Sequence, residues 1–364
     1  MRFTVFTSAL MGGLVSMAFA QAVVDPFLGE PFTAEFYDAG DNNQYRATLV
    51  SYPFGASGKS APQDSAVVQD STAVPQDSLN GTVNKPKAAV LYIHGFNDYY
   101  FQTLTAEKLD SAGYAFFAID LHNYGRSYRQ GEVLGELRDV TSYFPEIDSA
   151  WKKIEAAVGK DVPKVLLGHS TGGLISLVYA DVREKGKDFD AIVLNSPFME
   201  MNYSWLMRDV IIPVLAPIGH YFPNIPIPRS SSDAYSESLL KSMKGEWEYN
   251  TTLKVPGSIP VDFGWSAAIC DAQDIVKAGM DLVSPILVMH SGCSVNEDEW
   301  SDEYTRCDGV LNVDDIRNYG AHLGPDVRLV QIPGALHDLY LSRKEVRDHA
   351  YSVTIEFLDN IVKK

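Results

Sequence analysis

Ser170 sits in Gly168-His169-Ser170-Thr171-Gly172, a Gly-x-Ser-x-Gly pattern. A serine hydroxyl is a weak nucleophile until a base takes its proton. The pattern points to nucleophilic chemistry because it exposes the hydroxyl on a tight turn, where Cβ atoms on the flanking residues would clash. The base expected is His337, which follows Pro333-Gly334-Ala335 and precedes the last amphipathic run of the chain. His169 lies inside the turn and points away from that role, and His94 belongs to a second turn. His220, His322 and His349 fall in cap, loop or helical contexts among solvated neighbours.

A base of this kind needs an acid to hold its tautomer. Asp298, Asp302 and Asp308 all follow the strand candidate Pro285–His290, with Glu297, Glu299 and Glu303 among them. Asp308 is preferred because Gly309-Val310-Leu311-Asn312-Val313 after it is apolar enough to dock the residue against a core. His94-Gly95-Phe96-Asn97-Asp98 offers a turn that can aim backbone N–H groups at a developing oxyanion, and the donors expected are the amides of Phe96 and Thr171.

The elements that must carry these residues are legible. Val162–Leu167 reads as a buried strand before the serine, and Thr171–Arg183 as the helix after it. Ala88–Ile93, Tyr114–Ile119, Ala191–Leu194, Pro285–His290 and Val327–Ile332 are further strands. Phe101–Ala112, Ile147–Val158 and Lys344–Val362 are further helices. Residues 33–52 form two strands around Gly40-Asp41-Asn42-Asn43. Apolar strands alternating with helices predict an α/β fold with a mostly parallel central sheet, covered by helices on both faces. The stretch 197–279, rich in Pro, Trp, Tyr and Met, breaks that rhythm and reads as a cap inserted after the sixth strand. Trp205, Met207, Ile211 and Trp265 are its candidate substrate-binding residues.

Composition bounds the rest. Residues 1–20 read as a signal peptide, with Arg2, an apolar run and Ala18-Phe19-Ala20, so export after cleavage following Ala20 is expected. A single α/β domain then spans 21–364. Residues 55–87 are Ser, Ala, Gln, Asp, Pro and Gly with few large apolar side chains, and read as a disordered loop inserted in that domain. A net charge of −17 argues against nucleic acid as a partner. Three cysteines make no disulfide scaffold, but Cys293 and Cys307 bracket the acidic run before Asp308 and are expected to pair, leaving Cys270 free. No His/Cys/Asp set has metal-ligand spacing, so neither metal nor cofactor is expected.

With these residues in place the chain resembles the α/β-hydrolase superfamily, whose order Ser…Asp…His it follows. More closely it resembles the serine aminopeptidase S33 and monoacylglycerol lipase–lysophospholipase branch. The resemblance rests on His94 to Gln102, Asp120-Leu121-His122-Asn123-Tyr124-Gly125-Arg126-Ser127, Gly168 to Gly173, Asn195-Ser196-Pro197 and Gly334-Ala335-Leu336-His337-Asp338, and spans roughly 88–362. In that branch the acid often follows its strand within a few residues, whereas here Gly292–Cys307 intervenes. The resemblance implies hydrolysis of a small ester or lipid substrate, with transient contact between cap and membrane lipid. Two alternatives stand beside it. An aminopeptidase would need acids to grip a free amino terminus, for which Glu246 and Glu248 are the candidates, and a non-catalytic binding protein would not need Ser170 and His337 intact.

Overall fold

The computed structural model describes residues 22–57, 85–204, 206–227, 233–297 and 299–362. The proposed signal peptide, most of the 55–87 loop, Trp205 and Asp298 lie outside them.

Nine strands form one sheet: β1 (Val23–Val24), β2 (Thr33–Ala39), β3 (Tyr45–Ser51), β4 (Ala89–Ile93), β5 (Ala115–Asp120), β6 (Lys164–His169), β7 (Ala191–Asn195), β8 (Ile286–Ser291) and β9 (Val327–Ile332). Their spatial order is β1-β2-β3-β5-β4-β6-β7-β8-β9. β1 to β3 are antiparallel, as is the β3–β5 pair, and every pair from β5 through β9 is parallel. The two-residue β1 is too short to leave a periodic signal. It raises the strand count by one, so the 197–279 insertion follows the seventh strand of this chain rather than the sixth.

The alternation within β4 shows why these strands read as continuous apolar runs. Leu91 and Ile93 enter one core, while Val90 and Tyr92 enter the other. Helices α1 (Thr103–Ser111) and α8 (Lys344–Val362) cover the Val90–Tyr92 face. Helices α2 (Phe144–Val158) and α3 (Thr171–Val182) cover the opposite one. Full burial of each aliphatic side chain stabilises by roughly 1.5–3 kcal/mol relative to exposure, so both faces need apolar residues. Helix α2 begins three residues before the expected Ile147, because Pro145 fits a first helical turn that has no use for its N–H.

Past β7, a π-helical turn Met207–Ile211 runs into α4 (Ile212–Tyr221), followed by α5 (Ala234–Leu239) and α6 (Phe263–Lys277), and α7 (Val313–Gly320) lies between β8 and β9. Helix α6 lies inside the stretch read as cap, yet Ala268, Ile269, Ala272 and Val276 join the core that α3 faces. Its apolar residues recur at helical spacing, and it belongs to the body of the fold. The flanks of the inserted loop are also more ordered than their composition suggests. Gly55 and Ser57 N–H donate to the Asp110 carboxylate at 2.6 and 2.8 Å, and Lys87 N–H donates to Gly113 O at 2.9 Å. Side-chain and backbone partners on α1 and the turn after it hold segments that have almost no apolar area to bury. Among the described residues no helix is long and apolar enough to cross a membrane.

Motif residues that do no chemistry tie the frame together. Arg126 is buried, with Nε and Nη2 on the Asp25 carboxylate at 2.6 and 2.9 Å and Nη1 on Asp120 Oδ2 at 2.8 Å. Removing one partner of such a buried pair typically costs about 3–5 kcal/mol, because a charge is left without compensation.

Candidate active site

The serine turn is built at the carboxyl end of β6. Ser170 has φ 52° and ψ −119°, in the left-handed half of the map, where a non-glycine residue stores about 1–3 kcal/mol of strain. The surroundings enforce it. A Cβ on Gly168 would meet Gly172 O at 2.5 Å, and one on Gly172 would collide with the carbonyls of Ile93 and His94. Ser170 N–H donates to Asn195 O at 3.0 Å, and Ser170 O accepts from Gly173 and Phe198 N–H. Both ends of the turn are therefore held by neighbouring strands and by α3.

Three segments meet around the Ser170 hydroxyl. His337 Nε2 lies 2.9 Å from Ser170 Oγ, and His337 Nδ1 lies 2.9 Å from Asp308 Oδ2. A carboxylate accepts only, so Nδ1 carries the imidazole proton and Nε2 is left to accept from the serine. Asp308 is wholly buried and its second oxygen accepts from Val310 and Leu311 N–H, both at 2.8 Å. These are the first residues of the apolar run that favoured Asp308 in the sequence, and Leu311 is buried in the core. Asp302 is instead exposed, at the start of a single-turn helix, Asp302–Thr305. Cys293 and Cys307 are disulfide-bonded, and Asp308 N–H donates to Cys293 O at 2.8 Å. The bridge closes off the acidic insertion and leaves Asp308 at its base. Cys270 is unpaired, and burial pushes its thiol up to about 11.

The second turn faces the same hydroxyl. Leu121 N–H donates to His94 Nε2 at 3.1 Å, so His94 is protonated at Nδ1, which donates to Gly95 O at 2.7 Å. In a trans peptide the carbonyl and the amide point in opposite directions. With Gly95 O held by His94, the Phe96 N–H is turned the other way. A Cβ on Gly95 would lie 3.1 Å from Ser170 Cβ, so only a residue without one brings this peptide so close to Ser170. Neither Phe96 N–H nor Thr171 N–H donates a backbone hydrogen bond among the described residues. Thr171 opens α3, where the helix end carries partial positive charge.

Of the candidate substrate-binding residues, Trp265 packs against Phe96 with ring centroids 4.7 Å apart and ring planes tilted by 51°. Met207 is exposed and Ile211 half-buried on the π-helical turn. The fold also assembles groups that had no assigned role. Asn195 Nδ2 donates to Asp338 Oδ1 at 2.7 Å, while Asp338 Oδ2 is buried with no hydrogen-bond partner among the described residues, 4.0 Å from His169 Nε2. Burial holds the His169 imidazole below its ordinary range, so it stays neutral next to His337, 4.9 Å away between ring centroids. Asp98, His169 and Asp338 bring ligand-type atoms within 4.8 Å of one another, which no sequence spacing announces. A cationic side chain already serves that cluster, since Lys254 Nζ lies 2.8 Å from Asp98 Oδ1. Asp338 and Asn195 were visible as neighbours of motif residues. Lys254 carried no signal at all.

Known proteins share this architecture. Residues 84–343 match the model of the family described as serine aminopeptidase, S33. A monoacylglycerol lipase of Mycolicibacterium smegmatis is 26% identical over 210 residues, covering 56% of this chain and 69% of that protein. A monoglyceride lipase of Saccharomyces cerevisiae is 23% identical over 299 residues, covering 77% and 87%. The crystal structure of a soluble variant of the Saccharomyces cerevisiae monoglyceride lipase, in complex with a substrate analog, superposes with a TM-score of 0.60 at 17% identity, covering 88% of this chain and 94% of that one.

Proposed function

This chain belongs to the serine aminopeptidase S33 family and has the α/β-hydrolase fold, and from that premise we propose that it cleaves carboxylic esters through an acyl-enzyme on Ser170. The observation that carries the reading is the relay Ser170–His337–Asp308, linked by two 2.9 Å contacts. In this proposal Ser170 Oγ attacks the acyl carbon while His337 Nε2 takes its proton. The negative charge on the former carbonyl oxygen is met by the Phe96 and Thr171 amides, which are already oriented and need no reorganisation. Collapse expels the alcohol, which leaves with the proton from His337. Water then attacks the acyl carbon with His337 as base again, and Ser170 is released.

The substrate class proposed is a mono-acyl glycerol, a lysophospholipid or another small acyl ester. Support comes from the lipases among the relatives and from the aromatic Phe96–Trp265 pair, whose Phe96 follows the Gly95 that approaches Ser170. Transient lipid contact through the cap belongs to the same proposal and is supported by exposed Leu206, Met207, Tyr221 and Phe222. So does export, supported by the composition of residues 1–20 and by the cystine. The aminopeptidase alternative draws no support from its candidate acids. Glu246 pairs with Arg347 and Glu248 with Lys241, both on the exposed surface.

A panel of p-nitrophenyl esters of rising acyl length, run beside an aminoacyl p-nitroanilide, tests the proposal. Ester turnover is expected, lowered roughly 10³-fold or more in Ser170→Ala. Anilide cleavage without ester cleavage would overturn it.

A further inference from the structure

The peptide that presents Phe96 N–H is fastened from the side opposite His94, by the cap. Asn97 has φ 51°, so its side chain leaves the loop in the reverse of the usual direction. Asn97 Nδ2 donates to Val255 O at 2.8 Å, and Val255 N–H donates to Asn97 Oδ1 at 2.9 Å. The next residue, Asp98, is paired with Lys254 at 2.8 Å, and both side chains are buried. The residue after that, Tyr99, accepts at its hydroxyl from Asn250 N–H at 2.9 Å. Lys254 Nζ also lies over the adjoining rings of Phe101 and Tyr249, at 5.6 and 5.7 Å from their centroids. Three successive residues of the loop are thus bound by one short run of the cap.

We infer that the cap segment 250–255 is a strap that positions the oxyanion-stabilising peptide, with Asn97 and Lys254 as positioning residues. The inference rests on the ester-hydrolysis reading. Its physical basis has two parts. A backbone donor stabilises an oxyanion only if it is held in place before the charge develops, and a loop held by His94 at one end would swing at the other. Asp98 also lies two residues from the Phe96 amide, and a buried carboxylate there opposes a developing negative charge. The Lys254 ammonium cancels that charge in a site of low dielectric. The cap in this chain is therefore part of the catalytic geometry as well as a cover for the acyl group.

The test uses the full-length protein and two variants of different chemistry. Asn97→Gly keeps the left-handed backbone and removes both bonds to Val255. Lys254→Met keeps the stem and removes the charge. Each is expected to lower kcat about tenfold with KM within about twofold, and to weaken inhibition by a trifluoromethyl ketone, a mimic of the tetrahedral oxyanion, by the same factor. Adding Asp98→Asn to Lys254→Met removes the uncompensated buried charge and should recover most of the lost kcat; the kcat-against-KM split and the weaker ketone inhibition are what a merely structural role for the lysine would not produce. A rise in KM at constant kcat, or no change in either, overturns the strap. If Lys254→Met does not fold, the kcat-against-KM split of Asn97→Gly decides. Should the wild type turn over no ester, the functional proposal fails separately. The strap is then read from the rate at which a fluorophosphonate labels Ser170, since the phosphoryl oxygen enters the same hole. Slower labelling of Asn97→Gly supports it, an equal rate overturns it, and an unlabelled wild type overturns both.

Discussion

Replacing Asp308 by asparagine changes a single non-hydrogen atom and should nearly abolish turnover. The reason lies in the surroundings of the carboxylate. One oxygen accepts two backbone N–H groups at 2.8 Å, from Val310 and Leu311, and the other faces His337 Nδ1 at 2.9 Å. An asparagine must keep its carbonyl oxygen toward the two amides, because its NH₂ there would confront two donors. The NH₂ is then forced against His337 Nδ1. That nitrogen can only accept, so the imidazole proton moves to Nε2, the atom that must receive the proton of Ser170. The histidine is intact but in the wrong tautomer. A loss of roughly 10³–10⁴ in kcat is expected for this effect, about 4–5.5 kcal/mol at 1.36 kcal/mol per decade. The substitution is nearly isosteric and introduces no buried charge, so the melting temperature should move by only about a few degrees. Steady-state turnover of a p-nitrophenyl ester, with thermal unfolding as control, measures both. The deficit should persist from about pH 6 to 9, since the tautomer is set by hydrogen bonding rather than by titration. A loss smaller than tenfold, or a comparable loss in Asp302→Asn with Asp308→Asn active, would refute this assignment of the acid and leave the serine–histidine pair standing.

His337→Ala should cost about as much as Ser170→Ala, and the double variant little more, because base and nucleophile act as a unit; near-additive losses in kcat would count against their 2.9 Å contact being the proton path. Thiol titration of denatured, unreduced protein should find one free thiol, mapping to Cys270, and reduction should lower stability by about 3 kcal/mol in urea unfolding, the usual size for a loop of this length. Three free thiols would show the bridge absent. Excision of residues 58–84 with a short linker should leave turnover and melting temperature close to wild type, because Ser57 and Lys85 flank the cut and the anchoring bonds of Gly55, Ser57 and Lys87 survive it. A drop of many degrees would mean that the excised segment packs.

Where function could be read from the chain alone, it was written in local pattern. The serine turn is a run of five residues between an apolar strand and an unbroken helix, so its pattern is complete within a few positions. The strands β4 to β8 were legible because both of their faces are buried, which demands mostly apolar residues, and the half-exposed β9 was legible from its Val, Leu and Ile. His337 was legible from its place between the last strand and the last helix. Even Asp308 left a trace, in the apolar residues that dock it.

The tertiary structure decided what depends on pairs far apart in the chain. Three aspartates stood in the acidic run, and the folded loop brought Asp308 to His337 while leaving Asp302 exposed at the start of a single-turn helix. Helix α6 looked like cap until its apolar side was seen against α3. The bond between Asn97 and Val255 spans 158 positions, and the ion pair between Lys254 and Asp98 spans 156. A lysine in a cap has no spacing, period or motif to mark it, because its role comes from the carboxylate it meets. Hydrophobic periodicity determines which elements form and which faces they bury, whereas the partner of a buried polar group is chosen by the one three-dimensional arrangement that leaves it satisfied.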